Sequence, residues 1–401
     1  MPTGNAAAAI EKQQPASLSG LMVVFLAFCC GAVVANLYYA QPIVELIAPQ
    51  IGLSSANASL IVSLTQFGYA LGLLLLVPLA DLMENRRLVV GFTLAASVTL
   101  LCAGLTESPS MFLLFSLLIG LTSVAVQVLV PLAAHLAPEE SRGRVVGNIM
   151  SGLLLGILLA RPLSSLLVDV FGWRGVFISA AVLMAVIALI TALVLPRRMP
   201  EHRATYPALI GSVFALVRRH SVLRQRSVYQ GLLFATFSLF WTLAPIELMR
   251  NHGFNQTQIA IFALVGAVGA VAAPIAGRLA DAGHGHLGTL AALVLAPLAL
   301  LIAALPGSGY LWLVVCAVVL DFAVQLNMVL GQREVYAIDP HSRARLNAVY
   351  MTSIFVGGAL GSLVASPLYE QAGWHLSALT VAVLPALALV MFLIRRPLPK
   401  V

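Results

Sequence analysis

Residues 141–173 read SRGRVVGNIMSGLLLGILLARPLSSLLVDVFGW, and residues 342–374 read SRARLNAVYMTSIFVGGALGSLVASPLYEQAGW. The two stretches align without a gap. Ser141-Arg142-x-Arg144 returns as Ser342-Arg343-x-Arg345, Gly156 as Gly357, and Gly172-Trp173 as Gly373-Trp374. Upstream, Leu79-Ala80-Asp81 returns as Leu279-Ala280-Asp281, so the chain repeats at a period of 200–201 residues. Loop, apolar helix and loop recur in the same order, the mark of an internal duplication.

Working outward, each copy is a series of apolar runs such as Leu60–Leu79 and Val176–Leu195. Crossing a bilayer takes about 20 residues of helix. Twelve runs of this kind occur, at 18–41, 58–80, 88–106, 111–137, 145–169, 175–195, 227–250, 257–280, 287–305, 310–336, 348–370 and 376–394. We refer to them as spans 1 to 12. Polar turns such as Glu107-Ser108-Pro109-Ser110 and Pro306-Gly307-Ser308-Gly309 separate them. Six spans per copy is an even number, so both copies insert the same way round, as parallel repeats.

Composition agrees. Apolar residues are 60% of the 401 and charged residues 9%, against about 45–50% and about 25% in soluble domains. Lipid must solvate most of such a surface, and only helices or closed barrels satisfy their backbone there. Barrel strands alternate apolar and polar positions, whereas these runs are continuous. The expected fold is an all-α integral membrane protein of twelve helices. Its units are a disordered tail at 1–17, a first bundle at 18–195, a basic linker at 196–226, a second bundle at 227–394 and a tail at 395–401. The linker has room for a short amphipathic helix around Ala208–Arg219, lying on anionic headgroups. The first run is too long for a cleaved signal region and is read as an uncleaved span.

Charge sets the orientation. With the amino terminus cytoplasmic, all but three of the 22 basic residues fall in the tails and the even-numbered loops, as positive charge distributes in membrane proteins. Arg161, Arg174 and Arg250 are the exceptions. The net charge of +7 is therefore a topology signal and implies no nucleic-acid partner. Both termini are expected in the cytoplasm, with the chain in the plasma or inner membrane.

Other absences narrow the class. Cys29, Cys30, Cys102 and Cys316 all lie inside apolar runs as packing residues, without metal-ligand spacing. Lys12 and Lys400 are the only lysines, so no phosphate-cradling Gly-Lys-Ser/Thr loop exists. No catalytic constellation stands out. The expectation is no enzyme, no cofactor and no metal, the His284-Gly285-His286 loop being too weak a metal signal.

Twelve spans in duplicated halves, a basic central loop, and an Asp-bearing loop after spans 2 and 8 resemble the major facilitator superfamily. The resemblance covers essentially the whole chain. The second loop keeps Gly277-Arg278-Leu279-Ala280-Asp281; the first keeps Asp81, Arg86 and Arg87 but has Val77 and Glu84 where the family has Gly. By resemblance, Asp81, Arg86, Arg87, Gly277 and Asp281, with Arg142 and Arg343, latch a cytoplasmic gate. The plainer reading of Asp81 and Asp281 is a solvated helix end that fixes topology. Span 5 carries Gly152-x-x-x-Gly156-x-x-x-Ala160-Arg161-Pro162, similar to the Gly-rich stretch of the drug/proton antiporters of the DHA1 type. Arg161 stands where those carry Gly. Small residues four apart let helices approach closely, and Pro162 is expected to interrupt the helix.

Two charges within spans stand out. Arg161 is about 24 Å along span 5 at 1.5 Å per residue, and an unpaired cation there costs about 3 kcal/mol or more. It binds an anion or pairs with an acid; alternatively it snorkels to the outer interface. Asp321 is the clearest membrane-embedded acid, on one helical face with Gln325, Met328 and Gln332. A carboxyl withdrawn from water takes up a proton more readily than one in solution, which makes Asp321 the candidate coupling residue. A structural Asp321–Arg161 pair is the competing reading.

The resemblance implies a central cavity lined by spans 1, 4, 7 and 10. Candidate faces are the stretch Asn36-Leu37-Tyr38-Tyr39-Ala40-Gln41-Pro42 that ends span 1, Gln66 and Tyr69 on span 2, and Gln127, Pro131 and His135 on span 4. On span 7 they are Phe234, Phe237, Trp241 and Glu247. Plain packing is the alternative for the aromatic stripe, and interfacial anchoring for the tyrosines. Many proton-coupled relatives carry an Asp in span 1 and an Arg in span 4, where Asn36 and Ser116 stand here. The expected function is a monomeric secondary transporter working by alternating access. It moves a small, moderately apolar or weakly anionic solute outward in exchange for protons. Alternatives are uptake or facilitated diffusion of a sugar or organic acid, and a non-transporting receptor or scaffold.

Overall fold

A computed structural model describes residues 19–200, 205–305, 309–339 and 342–394. The tails expected at 1–17 and 395–401 lie outside them. Among the described residues there are helices and turns but no strands.

Among the described residues, eight helical stretches are apolar and long enough to cross a bilayer. Two of them, Arg142–Val194 and Arg343–Ile394, run 53 and 52 residues, or about 80 Å at 1.5 Å per residue, far beyond a hydrocarbon core of about 30 Å. Each turns back once. The turn falls at Gly172 (φ 68°, ψ 171°) and at Gly373 (φ 63°, ψ −173°), a backbone region open essentially to glycine alone. The two copies of the repeat therefore make spans 5–6 and 11–12 with the same bend. Span 1 is Gly20–Ala35, and span 8 is the broken series Gln256–Gly266, Ala267–Val271 and Ala272–Asp281. With Ser55–Asp81, Asn85–Leu105, Pro109–Leu136, Ser221–His252, Gly285–Ala303 and Tyr310–Ile338, all twelve spans are present.

Helix packing repeats the duplication. A Cβ on Gly156 would strike the backbone of Gly31, and a Cβ on Gly357 would strike that of Gly231; both partners are also 200 residues apart. The Gly-rich stretch of span 5 thus brings its backbone against span 1, as its counterpart in span 11 does against span 7. Between spans 2 and 4, Gly120 fits against Thr65 and Tyr69, where a Cβ would lie 2.8 Å from the Tyr69 nitrogen. In the second half Asp321 stands 201 residues after Gly120, and the small residues have moved to the facing helix, Gly266 and Gly269. The second copy has made room for an acid.

Pro162 does not interrupt span 5: the only non-helical residue within Arg142–Val194 is Gly172. The linker holds a helix, Tyr206–Arg219, that buries Leu209, Val213 and Leu216 on one side. Span 7 begins at Ser221, which draws Arg226 onto the helix, where it pairs with Glu334 and donates to Thr289 Oγ1 at 2.9 Å.

The three arginines outside the basic loops are all engaged. Arg174 donates to the carbonyls of Gly104 and Thr106 (3.0 and 2.8 Å), closing the end of span 3. Arg250 forms a bridge between the halves, and Arg161 sits at the core. We call the end carrying the even-numbered loops the basic end, and the other the opposite end.

Polar contacts join the halves at the opposite end and toward mid-depth. Arg250 Nε and Nη2 donate to Glu45 Oε2 at 2.9 and 2.7 Å, while Nη1 holds Glu370 at 2.6 Å. Thr257 donates to Asp169 at 3.1 Å. Ser59 and Ser366 exchange backbone-to-hydroxyl bonds at 3.1 Å each, and Ser63 donates to the Ala359 carbonyl at 2.7 Å.

Candidate functional site

Span 1 ends at Ala35 and continues as a turn into the short helix Gln41–Ile43, where Pro42 offers no N–H to an α-helical ladder. This irregular backbone places Tyr38 and Gln41 beside span 5. The Ser164 hydroxyl pins it by donating to the Tyr39 carbonyl at 2.6 Å. Arg161 is 5% exposed, so it does not snorkel. Its Nε donates to Gln41 Oε1 at 2.8 Å. Its guanidinium carbon lies 4.9, 5.2 and 4.6 Å from the ring centroids of Tyr38, Phe237 and Trp241. Three aromatic faces offset part of the cation's lost hydration. Nη2 has no hydrogen-bond partner among the described residues.

Trp241 has a second contact: its Nε1 donates to Asp321 Oδ1 at 2.8 Å. Asp321 lies about 26 Å from the basic end of its helix and Arg161 about 28 Å from that of span 5, so the charges share one depth. No direct ion pair joins them among the described residues; the Trp241 indole stands between. Oδ2 of Asp321 accepts no hydrogen bond among the described residues.

Arg161 and Asp321 line one cavity of about 350 Å³ between the halves. It extends along Gln325, Met328, Gln332 and Tyr336 of span 10 to Arg343 and Asn347 at the basic end. The opposite end is closed by the Arg250 bridge and the serine exchange. Its wall is mainly apolar. An aromatic chain crosses it, Tyr69–Phe355–Phe234–Phe237, with successive centroids 4.5, 5.3 and 5.1 Å apart. Gln127 donates to the Tyr69 hydroxyl at 3.1 Å, and Gln332 to Tyr336 and Asn347 at 3.0 and 2.9 Å.

The sequence profile described as Major Facilitator Superfamily matches residues 23–229 and 227–401. The chain belongs to the Major Facilitator Superfamily. Its relatives include an "Uncharacterized transporter YgaY" of Escherichia coli O157:H7, 43% identical over 89% of this chain and 91% of that one. A "Probable transporter SCO4007" of Streptomyces coelicolor is 33% identical over 93% and 88%. A POT family transporter solved with a thioalcohol-conjugated peptide superposes with TM-score 0.76 at 13% identity, covering 94% of this chain and 95% of that one. The chain is thus a multi-pass membrane protein of a transporter family.

Within this superfamily fold, Asp321, Arg161, Gln325, Gln127, Tyr69 and Phe237 meet at the cavity. Four other candidates do not line it. Asn36 turns into the first half toward Ser123 and Met184 (both 3.4 Å). Gln66 is sealed in the seam between halves, donating to Ser238 at 2.5 Å. Glu247 lies near the opposite end, accepting from the Tyr369 hydroxyl (2.6 Å) and Asn251 (2.8 Å). Trp241 backs the wall rather than forming it. Tyr38, read as an interfacial anchor, is buried at 3% exposure against Arg161.

Of the gate residues, Asp81 is exposed and makes no ion pair among the described residues, and Arg86 and Arg87 turn to Glu84 instead. Asp281 pairs with Arg333 at 2.6 Å, and Arg343 Nε donates to the Tyr336 carbonyl at 3.2 Å. Arg142 is exposed at the start of span 5, and Gly277 has open space around it. Sequence reasoning named Gln41 only as part of the polar end of span 1, with no role of its own, and passed over the buried Gln230–Asn327 pair (2.6 Å). Gln41 was signalled by the repeat, since it and Trp241 stand 200 residues apart and both hold Arg161.

Proposed function

We propose that this chain is a proton-coupled secondary transporter working by alternating access, with Asp321 carrying the proton. The observation that supports this is a single, partly buried acid on the wall of an inter-half cavity, with one carboxylate oxygen held by Trp241 and the other without a hydrogen bond among the described residues. A group so placed exchanges a proton with whichever side the cavity faces, and a mostly apolar aromatic wall suits a small amphipathic solute. The basic end is cytoplasmic on this reading, both termini lie there, and the chain works as a monomer in the plasma or inner membrane.

Efflux in exchange for protons rests on the Gly-rich stretch of span 5. Gly156 in that stretch has a packing role against Gly31, which leaves the direction of coupling to the cavity's charges. A second reading, an organic acid moving together with a proton, is favoured by the unpartnered Nη2 of Arg161.

The test is transport by inverted vesicles of a panel of lipophilic drugs and organic acids, with and without a proton gradient, in wild type and Asp321→Asn. The variant should lose gradient dependence; equal dependence in both removes Asp321 from coupling. A receptor or scaffold would show no transport in either.

A further inference from the structure

At mid-depth the cavity holds two opposite charges that are not spent on each other. Trp241 separates Arg161 from Asp321, and the remaining partners of Arg161 are a neutral amide and three rings. Two buried donors lack partners among the described residues: Nη2 of Arg161, on the cavity lining, and Nε2 of Gln41, behind it, the amide that holds Arg161 through its oxygen. Orphaned buried donors are costly and rare. Two of them on adjacent side chains, one a cation, point to an anionic acceptor.

We infer that the solute is a small organic monoanion, such as a monocarboxylate with an apolar body, that docks its anionic group on Arg161 and crosses together with one proton held on Asp321. This deepens the proton-coupled reading above and rests on it. The argument is a charge count over the two states that must rock across the membrane. Empty, the mid-depth of the cavity carries Arg161 plus and Asp321 minus, which sum to zero; Arg343, on the same lining but exposed at the basic end, stays in water and is left out of the count. With the anion on Arg161 and a proton on Asp321, the sum is again zero. Proton exchange fails this test with every class of solute. A protonated return state always leaves one positive charge, a bound cation leaves the same, and a bound anion without the proton leaves one negative charge. Net charge buried in a low-dielectric cavity is strongly disfavoured, so the cotransport cycle avoids a barrier that exchange would meet.

The proton balance is simple. A neutral acid dissociates as its anion reaches the guanidinium, and its proton goes to Oδ2 of Asp321; release on the far side reverses both. Other titratable neighbours of Asp321 do not alter the count. Cys316, on its own helix, and Tyr38 of span 1, against Arg161, are a thiol and a phenol, which ordinarily lose their protons only above pH 7. Spans 7 and 8 present Trp241, Gly266 and Gly269.

The experiment uses the purified full-length protein in lightly buffered detergent at pH 7. Benzoate, phenylacetate and hexanoate are compared with their amides and with benzylamine and hexylamine at millimolar concentration. Thermal stabilisation, Trp fluorescence and proton exchange, by indicator dye, are read together. The expected result is that a carboxylate stabilises the protein with uptake of about one proton per molecule, while its amide and amine do not. Arg161→Gln should weaken that binding about tenfold or more, with Arg161→Lys between; Asp321→Asn should still bind the anion but take up no proton.

Stabilisation by amines with proton release, equal binding of amides, or no response to any carboxylate overturns the inference. Gradient dependence retained in Asp321→Asn vesicles overturns the coupling reading instead, so the two failures are distinguishable. If Arg161→Gln does not purify as a single species, Arg161→Lys and the amide comparison decide the matter.

Discussion

The bridge at the opposite end should set how often that end opens. Arg250, on span 7, places Nε and Nη2 against one oxygen of Glu45 in the other half, at 2.9 and 2.7 Å, while Nη1 stays with Glu370 in its own half. The side chains of Arg250 and Glu45 are 32% and 17% exposed. A charge-assisted contact this accessible is worth about 1–2 kcal/mol, and only the state closed at this end contains it. Glu45→Gln keeps an acceptor but removes the charge, so roughly half should go, about 1 kcal/mol. That corresponds to about a fivefold rise in the ratio of opposite-open to opposite-closed molecules. Spin labels at Glu107→Cys and Tyr310→Cys report this end, and a second pair at Glu140→Cys and Ala282→Cys reports the basic end. In Glu45→Gln the first pair should gain a longer distance as the second gains a shorter one. High salt should move wild type the same way, because a partly exposed pair is screened. Distance distributions superimposable on wild type at low salt would refute the reasoning.

Other outcomes follow from packing and backbone. Gly156→Ala and Gly357→Ala should each lower stability by about 1–3 kcal/mol, since the added methyl meets backbone, while Gly147→Ala, with open space around it, should not; thermal unfolding in detergent measures all three. Gly172→Ala and Gly373→Ala should each cost about 1–3 kcal/mol for their positive φ, read in the same assay. Gly269→Ala places a Cβ 2.5 Å from that of Asp321 and should cut gradient-driven transport more than it cuts yield of folded protein. Arg226→Gln leaves Glu334 without its partner; with that carboxylate half exposed, the loss should be about 1–3 kcal/mol.

The fold was legible because membrane helices follow from length and hydropathy, and because the duplication is written at 200–201 residues. Even the bends at Gly172 and Gly373 sit on repeated letters. The site was legible where a charge breaks an apolar run, at Arg161 and Asp321, since only a structured surrounding tolerates such residues there. It was not legible where a polar side chain serves two helices from an irregular segment. Gln41 follows the end of span 1, and periodicity says nothing about a turn. Asn36, Gln66 and Glu247 misled for a related reason: helical faces give direction around an axis, but a face can point at the seam between halves as well as at the cavity. Pro162 failed as a breaker because spans packed on both sides hold the helix through it.

Alternating access requires one chamber reached from either face in turn. Leu153 lines the cavity, so Leu153→Cys, with the half-buried Cys102 changed to Ala, reports access to a membrane-impermeant maleimide added to one side of oriented vesicles. Without a gradient, labelling should proceed from the basic end; with a gradient and solute, labelling from the opposite end should rise as that from the basic end falls. Labelling from one side only under every condition, or from both sides at once without exchange between them, contradicts the account.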